Sequence, residues 1–105
     1  MHGQQIVHRD LKLDNILINS ADEVKLIDFG FAVKCEEKEK LQTYCGTPHY
    51  MDPSLAKKQP YLGHAADVWA CGVILFTLLT GRLPYNAEFE ADLFRKIQFA
   101  KYQYP

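Results

Sequence analysis

Hydrophobic residues form short runs in the first third of the chain and one long run in the last third. Two short runs, Ile16–Ile18 and Val24–Ile27, flank the polar stretch Asn19–Glu23. Apolar runs on either side of a turn-rich connection of about five residues are typical of a β-hairpin. The pattern therefore predicts two antiparallel strands within residues 16–27.

A charged stretch, residues 34–42, follows the hairpin and consists mainly of Lys and Glu, with almost nothing to bury. This composition predicts an exposed and mobile loop. A solvated surface segment would explain the charge by itself.

The longest apolar run, Ala65–Leu79, is apolar on every face apart from a few interruptions such as Asp67. It predicts a helix over about residues 65–80, buried on all sides, with Gly81 as its C-cap. Roughly fifteen residues with an internal carboxylate fall short of the about 20 that a bilayer requires, so no membrane span is predicted. Since a buried carboxylate needs hydrogen-bond partners, Asp67 is expected to have a structural or functional role.

A last helix is predicted over about residues 87–100, because apolar and charged positions alternate there with the period of an amphipathic helix. The apolar stripe comprises Phe89, Leu93, Phe94, Ile97 and Ala100. The charged residues Glu90, Asp92, Arg95 and Lys96 cover the other side.

Composition narrows the class of protein. A chain of 105 residues allows a single fold unit, and 48% hydrophobic residues exclude disorder as the default. Twelve basic residues against thirteen acidic ones give a net charge of -1, so nucleic acid is not an expected partner.

The cysteines and the first residues indicate a cellular compartment. Cys35, Cys45 and Cys71 are an odd number without a CxxC pair, which favours reduced thiols over disulfides. The opening residues Met1–Gln5 are polar and contain no apolar signal region. We expect a cytoplasmic or nuclear protein.

Residues suited to phosphate chemistry flank the hairpin, with His8–Asn15 before it and Asp28–Gly30 after it. Because the two strands return to one end, four polar side chains are expected to converge there: Asp10, Lys12, Asn15 and Asp28. Carboxylate and amide oxygens suit Mg²⁺, a second carboxylate can orient a hydroxyl, and an ammonium can stabilise a phosphate oxygen. Taken singly, these residues would also suit turns or solvated surface.

The motifs and their order resemble the C-lobe of eukaryotic protein kinases of the serine/threonine type, most similar to the calmodulin-dependent and AMP-activated-like group. His8–Asn15 matches the catalytic loop H-R-D-L-x-x-x-N, and Asp28–Gly30 matches D-F-G. Gly46–Tyr50 and Asp67–Trp69 follow in the family's order. The resemblance implies an α+β fold: a mainly helical C-lobe fragment with a small two-stranded hairpin.

The resemblance also implies catalytic roles. Asp10 would be the catalytic carboxylate that faces the hydroxyl of a protein substrate, while Asn15 and Asp28 would hold the Mg²⁺ that accompanies ATP. Lys12 is similar to the lysine placed against the transferred phosphate, and Thr47 to the threonine beside the acceptor site. Both residues favour serine/threonine substrates.

Other residues are assigned to the scaffold by the same resemblance. His8 would pack and hydrogen-bond within the loop, and Asp67 would hold the loop's backbone. Phe29 would be a packing residue, and Gly30 would supply the backbone freedom needed to leave the strand.

The resemblance identifies residues 28–54 as an activation segment. Arg9 is the family's marker of control by phosphorylation, because its guanidinium can pair with a phosphate on this segment. Thr43 occupies the position that an upstream kinase would phosphorylate. An ordinary exposed threonine is the alternative interpretation.

The sequence also departs from the family. Asp52–Ser54 stands where the family has Ala-Pro-Glu, so the glutamate's usual ion pair cannot form. No G-x-G-x-x-G and no V-A-I-K motif is present, and we expect the N-lobe and the last C-lobe helices to be absent. Two hypotheses remain: a fragment of an active kinase, inactive by itself, or a pseudokinase-like module that binds or regulates without transferring phosphate.

Overall fold

Very short strands and three α-helices make up the computed structural model, which describes residues 2–99. The strands are β1 (Ile6–Val7), β2 (Ile16–Ile18), β3 (Val24–Leu26), β4 (Val33–Lys34), β5 (Lys40–Leu41) and β6 (Tyr61–Leu62). The helices are α1 (Pro53–Ala56), α2 (Gly63–Thr80) and α3 (Glu90–Gln98), with 3-10 turns at His2–Gln4, Leu13–Asn15 and Pro48–Tyr50. This mixture of helices and small strand pairs agrees with the predicted α+β class.

The hairpin expected within residues 16–27 is present as the antiparallel pair β2–β3. Its turn is organised by Asn19, whose Oδ1 accepts hydrogen bonds from the backbone N–H groups of Ala21 and Glu23, each at 2.9 Å. The Ile27 N–H donates to the Asn15 carbonyl at 2.9 Å, beyond the last paired strand residues. The chain entering the hairpin and the chain leaving it are therefore joined at one end.

The charged stretch 34–42 is more ordered than its composition predicts. It begins within β4, which pairs with β1, and contains β5, which pairs with β6. Cys35 is buried between these pairs, and its N–H donates to the Gln5 carbonyl at 2.7 Å. Apart from Cys35 and Leu41 the stretch is exposed, as predicted. Its strand pairing and the burial of Cys35 were not predicted, because backbone pairing over two residues leaves no alternating pattern of side chains.

The long apolar helix is α2, which ends at Thr80. Gly81 adopts the left-handed conformation (φ 78°) and its N–H bonds to the Thr77 carbonyl at 2.8 Å, which confirms the predicted C-cap. The prediction that this helix is buried on all sides was wrong. Its outer face is exposed at Val68 (63%), Leu75 (57%), Leu78 (66%) and Leu79 (77%), because no described element packs there.

Close contact with β1 sets the position of α2. A Cβ placed on Gly63 would lie 3.0 Å from a methyl carbon of Val7, so only glycine allows this approach without displacement. The next turn of the helix carries Asp67, which is buried. The close approach at Gly63 thereby places the Asp67 carboxylate beside the backbone that follows β1.

With 18 residues, α2 is long and apolar enough to cross a membrane by length and composition alone. The predicted length of about fifteen residues was too short, so length does not argue against a span. Asp67 argues against a membrane span, because its carboxylate is hydrogen-bonded to the backbone of His8 and Arg9 in the protein interior.

The last helix, α3, begins at Glu90, three residues later than predicted. The Asn86 side chain accepts a hydrogen bond from the Ala87 N–H at 2.9 Å, a local turn that competes with helix formation. Leu93 and Ile97 are buried against α1 as the stripe predicts. Phe89 is not buried, since it precedes the helix and is 64% exposed. Ala100, the last residue of the predicted stripe, lies outside the described residues.

Candidate active site

The Asp67 carboxylate binds the backbone of the segment that follows β1. One carboxylate oxygen accepts from the His8 N–H at 2.8 Å, and the other accepts from the Arg9 N–H at 3.0 Å. Arg9 is in the left-handed region (φ 69°), a conformation that costs a non-glycine residue free energy. Two hydrogen bonds to a buried carboxylate stabilise this bend.

His8 connects the same loop to the hairpin. It is fully buried; its Nδ1 accepts from the Asp10 N–H at 3.1 Å, and its Nε2 lies 3.0 Å from the Ile27 carbonyl. Phe29 contacts the imidazole edge-on, with ring centroids 4.7 Å apart, although half of Phe29 is exposed. Both ring nitrogens have backbone partners, so the imidazole joins the loop to the end of the hairpin.

Asp10, Lys12 and Thr47 form one hydrogen-bonded cluster. The Thr47 hydroxyl lies 2.9 Å from Oδ1 of Asp10, and Nζ of Lys12 lies 3.1 Å from that hydroxyl. Nζ of Lys12 is also 4.0 Å from Oδ2 of Asp10. A carboxylate, an ammonium and a hydroxyl thus meet at one point, which is the chemistry needed to orient an alcohol beside a phosphate.

Asn15 is buried and its orientation is fixed. Its Nδ2 donates to the Asp10 carbonyl at 2.8 Å, so its amide oxygen is directed away from that carbonyl. Its own carbonyl accepts from Ile27, which brings the residue after Ile27 to the same end of the hairpin. That residue is Asp28.

Asp28 is exposed and lies in the left-handed region (φ 59°). Its Oδ1 accepts from the Gly30 N–H at 3.3 Å, and a Cβ on Gly30 would lie 3.2 Å from that oxygen. Asp28 adopts the positive φ, and Gly30 leaves room for the carboxylate.

Asn15 and Asp28 suit a magnesium ion by the chemistry of their donors. Amide and carboxylate oxygens are hard ligands, and Mg²⁺ usually takes only one or two protein groups and completes its shell with water and phosphate oxygens. Within residues 2–99, no group of three or more His, Cys, Asp and Glu side chains could form a metal cage without such help. The donor set fits an ion delivered with a phosphate substrate.

The Thr43 side chain is exposed, and its backbone is anchored. The Tyr61 hydroxyl donates to the Thr43 carbonyl at 2.6 Å, from a side chain that is only 2% exposed. Arg9 does not bond Thr43 directly here; its Nε donates to the Phe31 carbonyl at 2.6 Å. Sequence analysis missed Tyr61, because it lies on a two-residue strand without periodic pattern.

Asp52 is a second residue that sequence analysis missed. It is the N-cap of α1, where its Oδ1 accepts from the Leu55 N–H at 2.9 Å. Burial raises the pKa of this carboxyl, and the backbone N–H groups of Leu55 and Ser54 oppose the shift. An Asp directly before Pro53 is a recognisable helix start and could have identified it.

Comparison with known proteins agrees with this geometry. The family model described as "Protein kinase domain" matches residues 1–103. The chain belongs to the protein kinase family.

The relatives of this kinase chain include fungal and plant enzymes. It is 47% identical to the probable serine/threonine-protein kinase KCC4 of Saccharomyces cerevisiae and 43% identical to CBL-interacting protein kinase 16 of Oryza sativa subsp. japonica, in each case over 99% of the chain. It spans only 10% of the yeast protein and 24% of the rice protein. The relatives thus support a serine/threonine protein kinase domain.

Proposed function

We propose that this chain is the catalytic C-lobe segment of a serine/threonine kinase of the calmodulin-dependent and AMP-activated-like group, which transfers the γ-phosphoryl group of Mg-ATP to protein hydroxyls. The cluster of Asp10, Lys12 and Thr47 is the observation that carries the proposal. It supplies a proton acceptor, a cation for the transferred phosphate and a hydroxyl that orients both.

In this mechanism, Asp10 accepts a hydrogen bond from the substrate hydroxyl and takes its proton as the new O–P bond forms and the bond to the ADP oxygen breaks. Thr47 holds Oδ1 of Asp10, and Lys12 stabilises negative charge on the phosphoryl oxygens. Asn15 and Asp28 would hold Mg²⁺. When bound, Mg²⁺ neutralises charge on the phosphates.

The proposal includes control by an upstream kinase at Thr43. The exposure of this side chain makes its hydroxyl available for modification. A phosphate there would offer the guanidinium of Arg9 a charge-assisted partner better than the Phe31 carbonyl that it now contacts.

The proposed setting is the cytoplasm or nucleus, with protein substrates and without a nucleic-acid or membrane partner. The three cysteines are unpaired, which suits a reducing compartment. Desolvation raises the pKa of the Cys35 and Cys71 thiols, which favours their protonated form.

A second candidate function is a binding or regulatory module without transfer activity. It is favoured by the exposed outer face of α2, which offers apolar surface to a partner. The Asp52–Ser54 replacement of Ala-Pro-Glu is also more typical of a divergent member.

The deciding experiment expresses the longest protein encoded by the transcript that contains these residues, beside the 105-residue chain. Radiolabelled ATP and a mixture of basic peptides with Ser, Thr or Tyr acceptors provide the assay. We expect transfer to Ser and Thr by the long protein, its loss in the Asp10→Asn variant, and none by the short chain. Equal labelling with Asp10→Asn, or none by a folded long protein that binds Mg-ATP, would favour the regulatory module.

A further inference from the structure

We propose that Tyr61 is a positioning residue that holds the backbone of Thr43 next to Arg9, so that a phosphate on Thr43 meets a prepared guanidinium. The inference rests on the proposed regulation of this site. It adds a third member to the Arg9 and Thr43 pair, through a hydroxyl that the proposed function does not use.

Tyr61 is buried and bonded to the activation segment. Its ring packs beside Leu55 and Ala66, and its hydroxyl donates to the Thr43 carbonyl over 2.6 Å. The strand that carries it pairs with β5, in the register Leu41 opposite Tyr61. The activation segment is therefore attached to the protein at two points, separated by a single residue of the chain.

The surroundings of the hydroxyl govern its protonation. Burial raises the pKa of Tyr61, and the nearby Arg9 guanidinium opposes that shift. The phenol remains protonated at neutral pH and can donate to Thr43, and Arg9 lines the same small cavity as Tyr61. A backbone carbonyl, a phenol and a guanidinium are thus members of one cluster.

Fixed backbone positions reduce the entropic cost of the pairing. Arg9 is already fixed by the bond between its N–H and Asp67, so little of its backbone freedom is lost on pairing. If the Thr43 backbone is fixed as well, less conformational entropy is lost when the phosphate pairs with the guanidinium. The pair is then stronger although no contact has been added. Removing the Tyr61 hydroxyl should weaken the pair although neither charged partner changes.

The test uses the chain with phosphothreonine installed at position 43 by genetic code expansion, and follows the phosphate by phosphorus NMR during a pH titration. The second pKa of a free phosphothreonine is about 6, and pairing with a guanidinium lowers it. We expect a value below about 6 in the wild type and in Tyr44→Phe, an exposed control. In Tyr61→Phe it should return towards about 6.

Two further variants separate the possible outcomes. Replacing Tyr61 by p-aminophenylalanine restores a donor and should restore the lowered phosphate pKa, also where Tyr61→Phe does not fold. A folded Tyr61→Phe protein with the wild-type phosphate pKa would overturn the role of Tyr61 and leave the Arg9 pairing intact. An unchanged phosphate pKa in Arg9→Gln would instead overturn the proposed regulation.

Discussion

The hydroxyl of Thr47 lies 2.9 Å from the Asp10 carboxylate, although 37 residues separate the two in sequence. The bond ties the segment before α1 to the loop after β1. It also orients the carboxylate, since Oδ1 is occupied and Oδ2 faces Lys12 at 4.0 Å. The position of the proposed base therefore depends on the conformation of a distant segment.

Replacing Thr47 by Val should destabilise the protein by about 1–3 kcal/mol, because Oδ1 of the buried Asp10 loses its hydrogen-bond donor. Thr47→Ser retains the hydroxyl and should cost much less. Urea unfolding of both variants checks this. Equal stability of Thr47→Val and the wild type would show that water replaces the hydroxyl without loss.

Asp67→Asn should cost about 1.5–3 kcal/mol, because its amide turns an N–H group towards the backbone donors of His8 or Arg9. The matched control is Asp92→Asn, whose exposed pair with Arg95 should contribute less than about 1 kcal/mol. Both are measured by urea unfolding. The prediction fails if the two substitutions cost the same.

The buried N-cap Asp52 predicts a dependence of stability on pH. Its pKa is raised in the folded state, so its contribution is complete below the ordinary value of 3.8 and is lost as the pH rises through the folded pKa. Asp52→Asn keeps the capping oxygen without titrating. We expect it to stabilise the protein at neutral pH and to change stability little near the ordinary aspartate value.

Asp52→Ala provides the control for this prediction, because it removes the cap and, like Asp52→Asn, does not titrate; it should be less stable than Asp52→Asn by about 0.5–2 kcal/mol across the range. Urea unfolding from about pH 4 to pH 7 compares the three proteins. A constant difference between the wild type and Asp52→Asn over that range would contradict the assigned cause.

The exposed outer face of α2 predicts self-association. Contiguous apolar surface on a soluble chain drives association, so the triple variant Leu75→Lys, Leu78→Lys, Leu79→Glu should shift the protein towards monomer in sedimentation velocity. Ile74→Lys is the control, because it charges the buried face and should unfold the protein. A wild-type chain that sediments as a monomer would argue against association through this face.

Sequence reasoning performed best where local pattern and chemistry coincide. The hairpin at residues 16–27 and the C-cap at Gly81 were predictable, because turn residues and a terminal glycine act locally. The approach of Thr47 to Asp10 followed only from the resemblance to kinases, since a contact over 37 residues has no local signal.

The misses have physical causes as well. The strands β4, β5 and β6 are two residues long, too short for side-chain alternation, so the burial of Cys35 and Tyr61 could not be anticipated. The local pattern of α2 predicted burial on all sides, because an apolar helix has the same sequence whether or not a neighbouring segment covers it. Helix α3 begins later than predicted because the Asn86 side chain forms a local turn with the backbone of Ala87.

The bonds from Asp67 to His8 and Arg9 also bear on the order of folding. They join positions 59 and 58 residues apart, so the bend at Arg9 cannot be stabilised until α2 has formed and docked. During synthesis the catalytic loop leaves the ribosome long before the carboxylate that shapes it. The loop therefore acquires its geometry late, and any truncation before Asp67 would leave its sequence intact but its conformation unsupported.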